Sequence, residues 1–166
     1  MRRKNFSFTF SLLPFLFYLF SYLLRCFFGC LHNKSHEQSF LEIRDSASGR
    51  VYGKWPLAEA DEFSIEFIHS VNQSSVRETF VAIQDMIRLR QLRFYSFGAG
   101  IPSSLEEGQE LGRDGDALII TGFNTSFSEL NYIVGTVSDH LLIINGETIS
   151  LRDLCGKNAH ISISLK

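Results

Sequence analysis

Only three cysteines occur in this 166-residue chain, at positions 26, 30 and 155, an odd set without paired spacing. A disulfide framework is therefore excluded. Only three prolines occur, so a proline-rich linker or recognition tract is excluded too. Basic charge is scarce outside the N-terminus: with Arg2, Arg3, Lys4 and Arg25 set aside, residues 31–166 hold 12 basic and 18 acidic side chains, a net of −6. General nucleic-acid binding needs a basic excess to meet phosphates, and that class is excluded for this region. There is no second long apolar run, which excludes a polytopic membrane protein. A Gly-x-Ser-x-Gly elbow is missing, and helical periodicity is scarce. No internal repeat or low-complexity tract follows residue 30.

What the chain does have is concentrated at its start. Residues 1–30 carry eight of the 16 phenylalanines, and residues 6–24 form an uncharged stretch of 19 residues. A helix rising ~1.5 Å per residue needs about 20 residues to cross the hydrocarbon layer, so this stretch is long enough to span. Three basic residues precede it, against Arg25 and Lys34 after it, and the positive-inside bias places the remainder outside the cytoplasm. The apolar core is longer than a signal peptide's and ends in bulky residues, which favours an uncleaved anchor. Phe27-Phe28-Gly29-Cys30 leaves lipidation at Cys30 as an alternative. Pro14 is tolerable in a membrane helix. Cys30, His32 and His36 make a metal site only on paper, because a tether provides no rigid surroundings for ligands, and none is assigned.

Residues 31–39 are polar and aperiodic, which marks a tether, and a β domain is expected over 40–166. Nine β-rich runs follow at 40–44, 50–55, 63–69, 76–84, 87–97, 117–121, 132–137, 141–145 and 160–165. Phe63, Ile65 and Phe67 alternate with Ser64 and Glu66, and Ile161, Ile163 and Leu165 alternate with serines, so each strand has one core face. Asn145-Gly146 is the strongest hairpin signal, with Ser48-Gly49 and Asp114-Gly115 weaker. Between Ile87 and Phe94 the apolar residues change phase, which a bulge near Gln91 would reconcile, with a short helical turn as the alternative. The expected fold is all-β: a single antiparallel sandwich or small barrel-like domain preceded by a transmembrane or signal helix.

Several groups could carry chemistry. His69-Ser70 ends a strand and Glu78 follows on the next, but neighbouring strand residues point to opposite faces, so His69 does not serve Ser70 as a base. Turn architecture for His69 and Ser70, with Glu78 as a strand-edge carboxylate, is the plainer reading, and ligand contact the sharper one. Ser96-Phe97-Gly98-Ala99-Gly100-Ile101-Pro102 forms a glycine loop without the lysine, hydroxyl and helix of a nucleotide loop, and is read as structural or as a ligand rim. Arg88, Arg90 and Arg93 suit anionic groups, or else charge a solvated edge strand. Glu106, Glu107, Glu110, Asp114 and Asp116 read as a solvated acidic loop, since calcium-loop spacing is missing. Asn33, Asn72 and Asn124 open Asn-x-Ser motifs that matter only in a eukaryotic source.

The stretches Phe67-Ile68-His69-Ser70-Val71, Val76-Arg77-Glu78 and 92–102 together resemble the bacterial domain-of-unknown-function family 1850, over roughly residues 40–165. The resemblance implies a small exported protein whose gene lies beside tripartite (TRAP) periplasmic transporters with a TAXI-type solute receptor, and it implies no reaction. His69, Ser70, Glu78, Gly98, Gly100 and Pro102 match the pattern and are the expected binding residues. One departure is Gln73-Ser74-Ser75, where family members often have a Lys-Thr-Pro-like run.

These readings describe a membrane-anchored extracytoplasmic domain that binds a partner or small organic solute and supports a TAXI-type TRAP transporter. No catalytic residue, metal or cofactor is assigned. The alternatives are an envelope hydrolase using His69 and Glu78, or a purely structural envelope protein. Clustering of His69, Glu78 and an arginine in a pocket would favour a ligand, and an apolar patch around Phe97 and Ile101 a protein partner. If residues 6–24 anchor the chain with its C-terminus outside, protease added to intact spheroplasts should digest the β domain, whereas full protection would refute that topology.

Overall fold

The computed structural model describes residues 39–70, 73–97, 101–102 and 104–166. The chain divides into two units, 1–37 and 38–166, and the described residues belong to the second. The span at 6–24, the tether, Cys26, Cys30, His32, His36, Asn33 and Asn72 lie outside the described residues. Among the described residues no helix is long and apolar enough to cross a membrane.

The elements in order are β1 (Phe40–Asp45), β2 (Val51–Pro56), β3 (Glu62–Ile68), β4 (Ser75–Ile83), β5 (Met86–Phe94), β6 (Glu110–Asp114), β7 (Ala117–Thr121), β8 (Ser126–Phe127), β9 (Leu130–Ile133), β10 (His140–Ile144), β11 (Glu147–Ser150), α1 (Leu151–Cys155) and β12 (His160–Leu165). They build two antiparallel sheets. The smaller has the order β2-β1-β12-β9, and the larger the order β11-β10-β3-β4-β5-β7-β6 with β8 also beside β5. Both have free edges, so there is no closed barrel.

Alternation explains how they pack. Leu41, Ile43, Ile161 and Ile163 of the smaller sheet and Phe63, Ile65, Phe80, Ile87, Leu142 and Ile144 of the larger belong to one buried cluster. The sheets therefore meet face to face, and each such side chain contributes roughly 1.5–3 kcal/mol on leaving water. Phe63 and Phe80 stack at 5.3 Å between ring centres.

The change of phase in β5 is a bulge. Thr79 pairs with Gln91 and Phe80 with Leu89, leaving Arg90 as the extra residue, one position from the expected site. It keeps Leu89 and Ile87 opposite Phe80 and Ala82, and Leu92 and Phe94 opposite Glu78 and Val76, on a single face. Level with the bulge, the strand opposite β5 breaks between β7 and β8, where the Leu89 N–H donates to the Thr125 carbonyl at 3.1 Å. The Asn145-Gly146 turn has φ 52° and 79°, as a type I′ hairpin requires.

Three local expectations are corrected. Glu110–Asp114, expected in a solvated loop, is strand β6; all five residues are exposed, so no apolar alternation marks it, and it pairs with the apolar β7. The run expected at 132–137 is found as β9 at 130–133: the strand starts two residues earlier and ends at Ile133, because the chain turns so tightly after Val134 that a Cβ on Gly135 would lie 2.1 Å from the Ser138 carbonyl oxygen. Arg88, Arg90 and Arg93 are not on an edge, since β5 lies between β4 and β7. Arg90 pairs with Glu62, Arg93 with Asp114, and Arg88 donates to Ser126 Oγ.

Gly53 is a point of close approach. A Cβ there would sit 2.4 Å from Trp55 Cη2, whose ring packs on the core. Gly53→Val should therefore displace the ring and lower stability by about 1–3 kcal/mol in chemical denaturation of the full chain, an overpacking cost. An unchanged midpoint would show that Trp55 is free to move.

Candidate functional site

Two motif segments singled out from the sequence lie side by side at one end of the larger sheet. His69 and Ser70 open the connector from β3 to β4. The His69 N–H donates to the Ser74 carbonyl at 2.8 Å, the His69 carbonyl accepts from the Gln73 N–H at 2.9 Å, and the Ser70 carbonyl accepts from Gln73 Nε2 at 2.5 Å. Gln73 sits at φ 51°, a left-handed angle unusual for a residue other than glycine. Ser74 Oγ lies 3.4 Å from Ser96 Oγ, which joins this connector to the chain leaving β5. Gly98 and Gly100 lie outside the described residues. Pro102 is partly buried, and its neighbour Ile101 packs on a second apolar cluster made by Val76, Leu92, Phe94, Leu118 and Ile120.

Glu78 is elsewhere, and the strand-edge reading of it is corrected. Its strand is interior to the larger sheet, and it shares a face with Val76 and Phe80, which belong to the buried clusters. Glu78 pairs in register with Ile65, and His69 lies four residues beyond Ile65, about 13 Å further along the strand direction at ~3.3 Å per residue. The fold does not bring His69 and Glu78 into hydrogen-bonding range. Its partner is Tyr132 of the opposite sheet, whose hydroxyl donates to Glu78 Oε2 at 2.6 Å.

Tyr132 leads to a third residue. Its ring meets His140 edge to face at 6.0 Å, and His140 stacks on Phe67 at 5.1 Å, its register partner on β3. The Gly135 N–H donates to His140 Nδ1 at 3.1 Å, which leaves the imidazole proton on Nε2. Glu78, Tyr132, His140 and Phe67 are each partly buried. Sequence reasoning missed Tyr132 and His140. The available signal was a tyrosine at a core-facing position, whose hydroxyl must find a partner.

The electrostatics separate two buried carboxylates. Glu42, wholly buried, is held by Arg44 and by Lys54 Nζ at 2.5 Å. Burial alone would raise its pKa, and the two cations outweigh that and hold it below the usual value. Among the described residues Glu78 has the Tyr132 hydroxyl alone, and burial pushes its pKa up, with the hydrogen bond opposing. Burial lowers the pKa of His140, with Asp139 opposing and Arg152 assisting, so the imidazole is neutral at pH 7. The half-buried Cys155 thiol is pushed up to about 11 by burial, with Asp45 adding to it, which keeps it protonated and unreactive at neutral pH. Among the described residues no group of three or more His, Cys, Asp or Glu is placed to hold a metal ion.

The geometry defines a two-sheet antiparallel β protein with a partly buried carboxylate, phenol and imidazole between its layers. A family model described as Domain of unknown function (DUF1850) matches residues 63–151, more than half of the chain, and the chain belongs to that family. No curated protein and no solved structure matches the chain. The matched segment contains Glu78, Tyr132 and His140.

Because the folded-state pKa of Glu78 is raised above the ordinary value of 4.5, the folded state holds this proton more tightly than the unfolded one. The stability that this provides is complete below about pH 4.5 and is lost as pH rises through the folded-state pKa. Glu78→Gln, which keeps an acceptor for Tyr132, should melt close to the wild type at pH 4 and above it at pH 8. Parallel melting curves across that range would refute the assignment.

Proposed function

We propose that this chain is a membrane-anchored, extracytoplasmic sandwich domain that binds a small organic solute between its sheets and serves as an accessory to a TAXI-type TRAP transporter. The observation that carries the ligand-binding part is Glu78, a partly buried carboxylate with no cationic partner among the described residues, bonded to the Tyr132 hydroxyl. A carboxylate of purely structural use is paired as Glu42 is, because an unpaired buried charge costs stability. Such a cost at one position supports a functional role for it.

The transporter part rests on the apolar span at 6–24 and on the setting implied by the family resemblance. Exposed Ile68, Tyr95 and Phe97 lie at the same end of the larger sheet as the site, and they support a protein contact there. His69, Ser70 and Pro102 frame that end.

Deletion of the gene should slow uptake by the neighbouring transporter, and the wild-type chain should restore it. Glu78→Gln should restore export and folding but leave uptake several-fold lower. Phe97→Ser should reduce co-purification with transporter subunits. Normal uptake in the deletion strain would overturn the transporter role.

A further inference from the structure

We infer that the site between the sheets takes an organic ammonium group, held by the Glu78 carboxylate beside the aromatic group of Tyr132, His140 and Phe67. This rests on the ligand-binding reading above and names the class of ligand. The charges around the site point one way. Glu78 is the acidic group facing the intersheet space, and its neighbours across the strands, Ile65 and Leu92, are apolar. The arginines nearest Glu78 in this sheet lie on its other face or at the bulge and are already engaged: Arg77 with Glu66, Arg93 with Asp114, Arg90 with Glu62, and Arg88 with Ser126, while Arg113 is on β6, three strands from β4. His140 is neutral, so it brings no positive charge.

An anionic ligand would thus meet the Glu78 carboxylate, on which no arginine among the described residues acts, whereas the cation near the site, Arg152, acts on His140 and donates to the Val137 carbonyl. A metal ion such as calcium or magnesium takes about six or more oxygen donors, and one carboxylate with one phenol falls short. An ammonium group fits on both counts. It supplies the missing counter-charge in a place where burial weakens screening, and aromatic rings attract cations through the negative potential of their faces. Tyr132, His140 and Phe67 are in mutual ring contact, which gives such a ligand a continuous aromatic surface next to the acid.

Titration calorimetry of the full-length chain in detergent, with tetramethylammonium and ethylammonium chloride against sodium acetate, tests this. The ammonium salts should bind and acetate should not. Glu78→Gln should weaken ammonium binding at least tenfold, and Tyr132→Phe, which keeps the ring, should weaken it only a few-fold. If Glu78→Gln is poorly folded, the Tyr132→Phe result still decides, because equal binding of acetate and ammonium by that folded variant would overturn the assignment. Acetate binding without ammonium binding would overturn the ammonium class and leave the ligand-binding reading standing. Binding of neither class would overturn both.

Discussion

A four-stranded sheet cannot cover the inner face of a sheet seven strands wide, and much of the architecture follows from that mismatch. At about 4.8 Å between neighbouring strands, the smaller sheet spans roughly 14 Å and the larger roughly 29 Å. Covered by the smaller sheet, Phe63, Ile65, Phe80 and Ile87 form the main core. Beyond it, Val76, Leu92, Phe94, Leu118 and Ile120 still face inward and still need cover. Ile101 and Phe123 pack on them from the connectors, and Phe97 meets Phe94 edge to face at 5.2 Å. Gly122 makes this possible on one side: a Cβ there would lie 2.0 Å from the Gly108 carbonyl oxygen, so only glycine lets that connector settle against the end of β7. Glu78 shares its strand face with Val76 of one cluster and Phe80 of the other, so it stands between the two kinds of cover.

A carboxylate in such a place is held by neither layer completely. Glu42 shows what the fold does when a buried acid serves packing alone, with cations from its own strand and the neighbouring one on the same carboxylate. At Glu78 the partner among the described residues is a phenol from the other sheet, a neutral donor that offsets part of the desolvation and none of the charge.

The parts of this arrangement legible in sequence are the local ones. The runs at 117–121 and 160–165 coincide with β7 and β12, because the first is a short apolar run between the Asp114-Gly115 turn and Gly122 and the second alternates isoleucine with serine. The bulge was visible in the shift from Leu89 to Leu92, since a two-residue period records any inserted residue. Strand β6 was invisible because its residues are exposed on both faces and carry no apolar signal, and β8 because two residues hold no period. Glu78 was found through the family pattern, yet placed on an edge, because a single sequence does not say which strands lie outermost. Tyr132 and His140 meet Glu78 and Phe67 only through pairings between distant segments, and no local pattern encodes those.

What places Tyr132 and His140 so reproducibly is the short passage between them, where the chain leaves the smaller sheet at β9 and enters the larger at β10. Val134 is fully buried, and its N–H donates to the Ala159 carbonyl at 2.9 Å while its own carbonyl accepts from Asn158 at 2.9 Å, which ties the exit from β9 to the start of β12. At the other end, Asp139 accepts from Ser150 Oγ at 2.5 Å and from the Arg152 N–H at 3.0 Å, which ties the entry to β10 to the start of α1. Between the two ties, the Gly135 N–H reaches His140 Nδ1, so the imidazole that stacks on Phe67 also closes the passage. Because that nitrogen accepts, protonating it would remove the bond, and burial, aided by Arg152 and opposed by Asp139, lowers the pKa of His140 and keeps that nitrogen free to accept. The crossing from sheet to sheet and the site's aromatic wall are therefore one construction: a change that loosens the passage moves Tyr132 relative to Glu78, even though it touches neither.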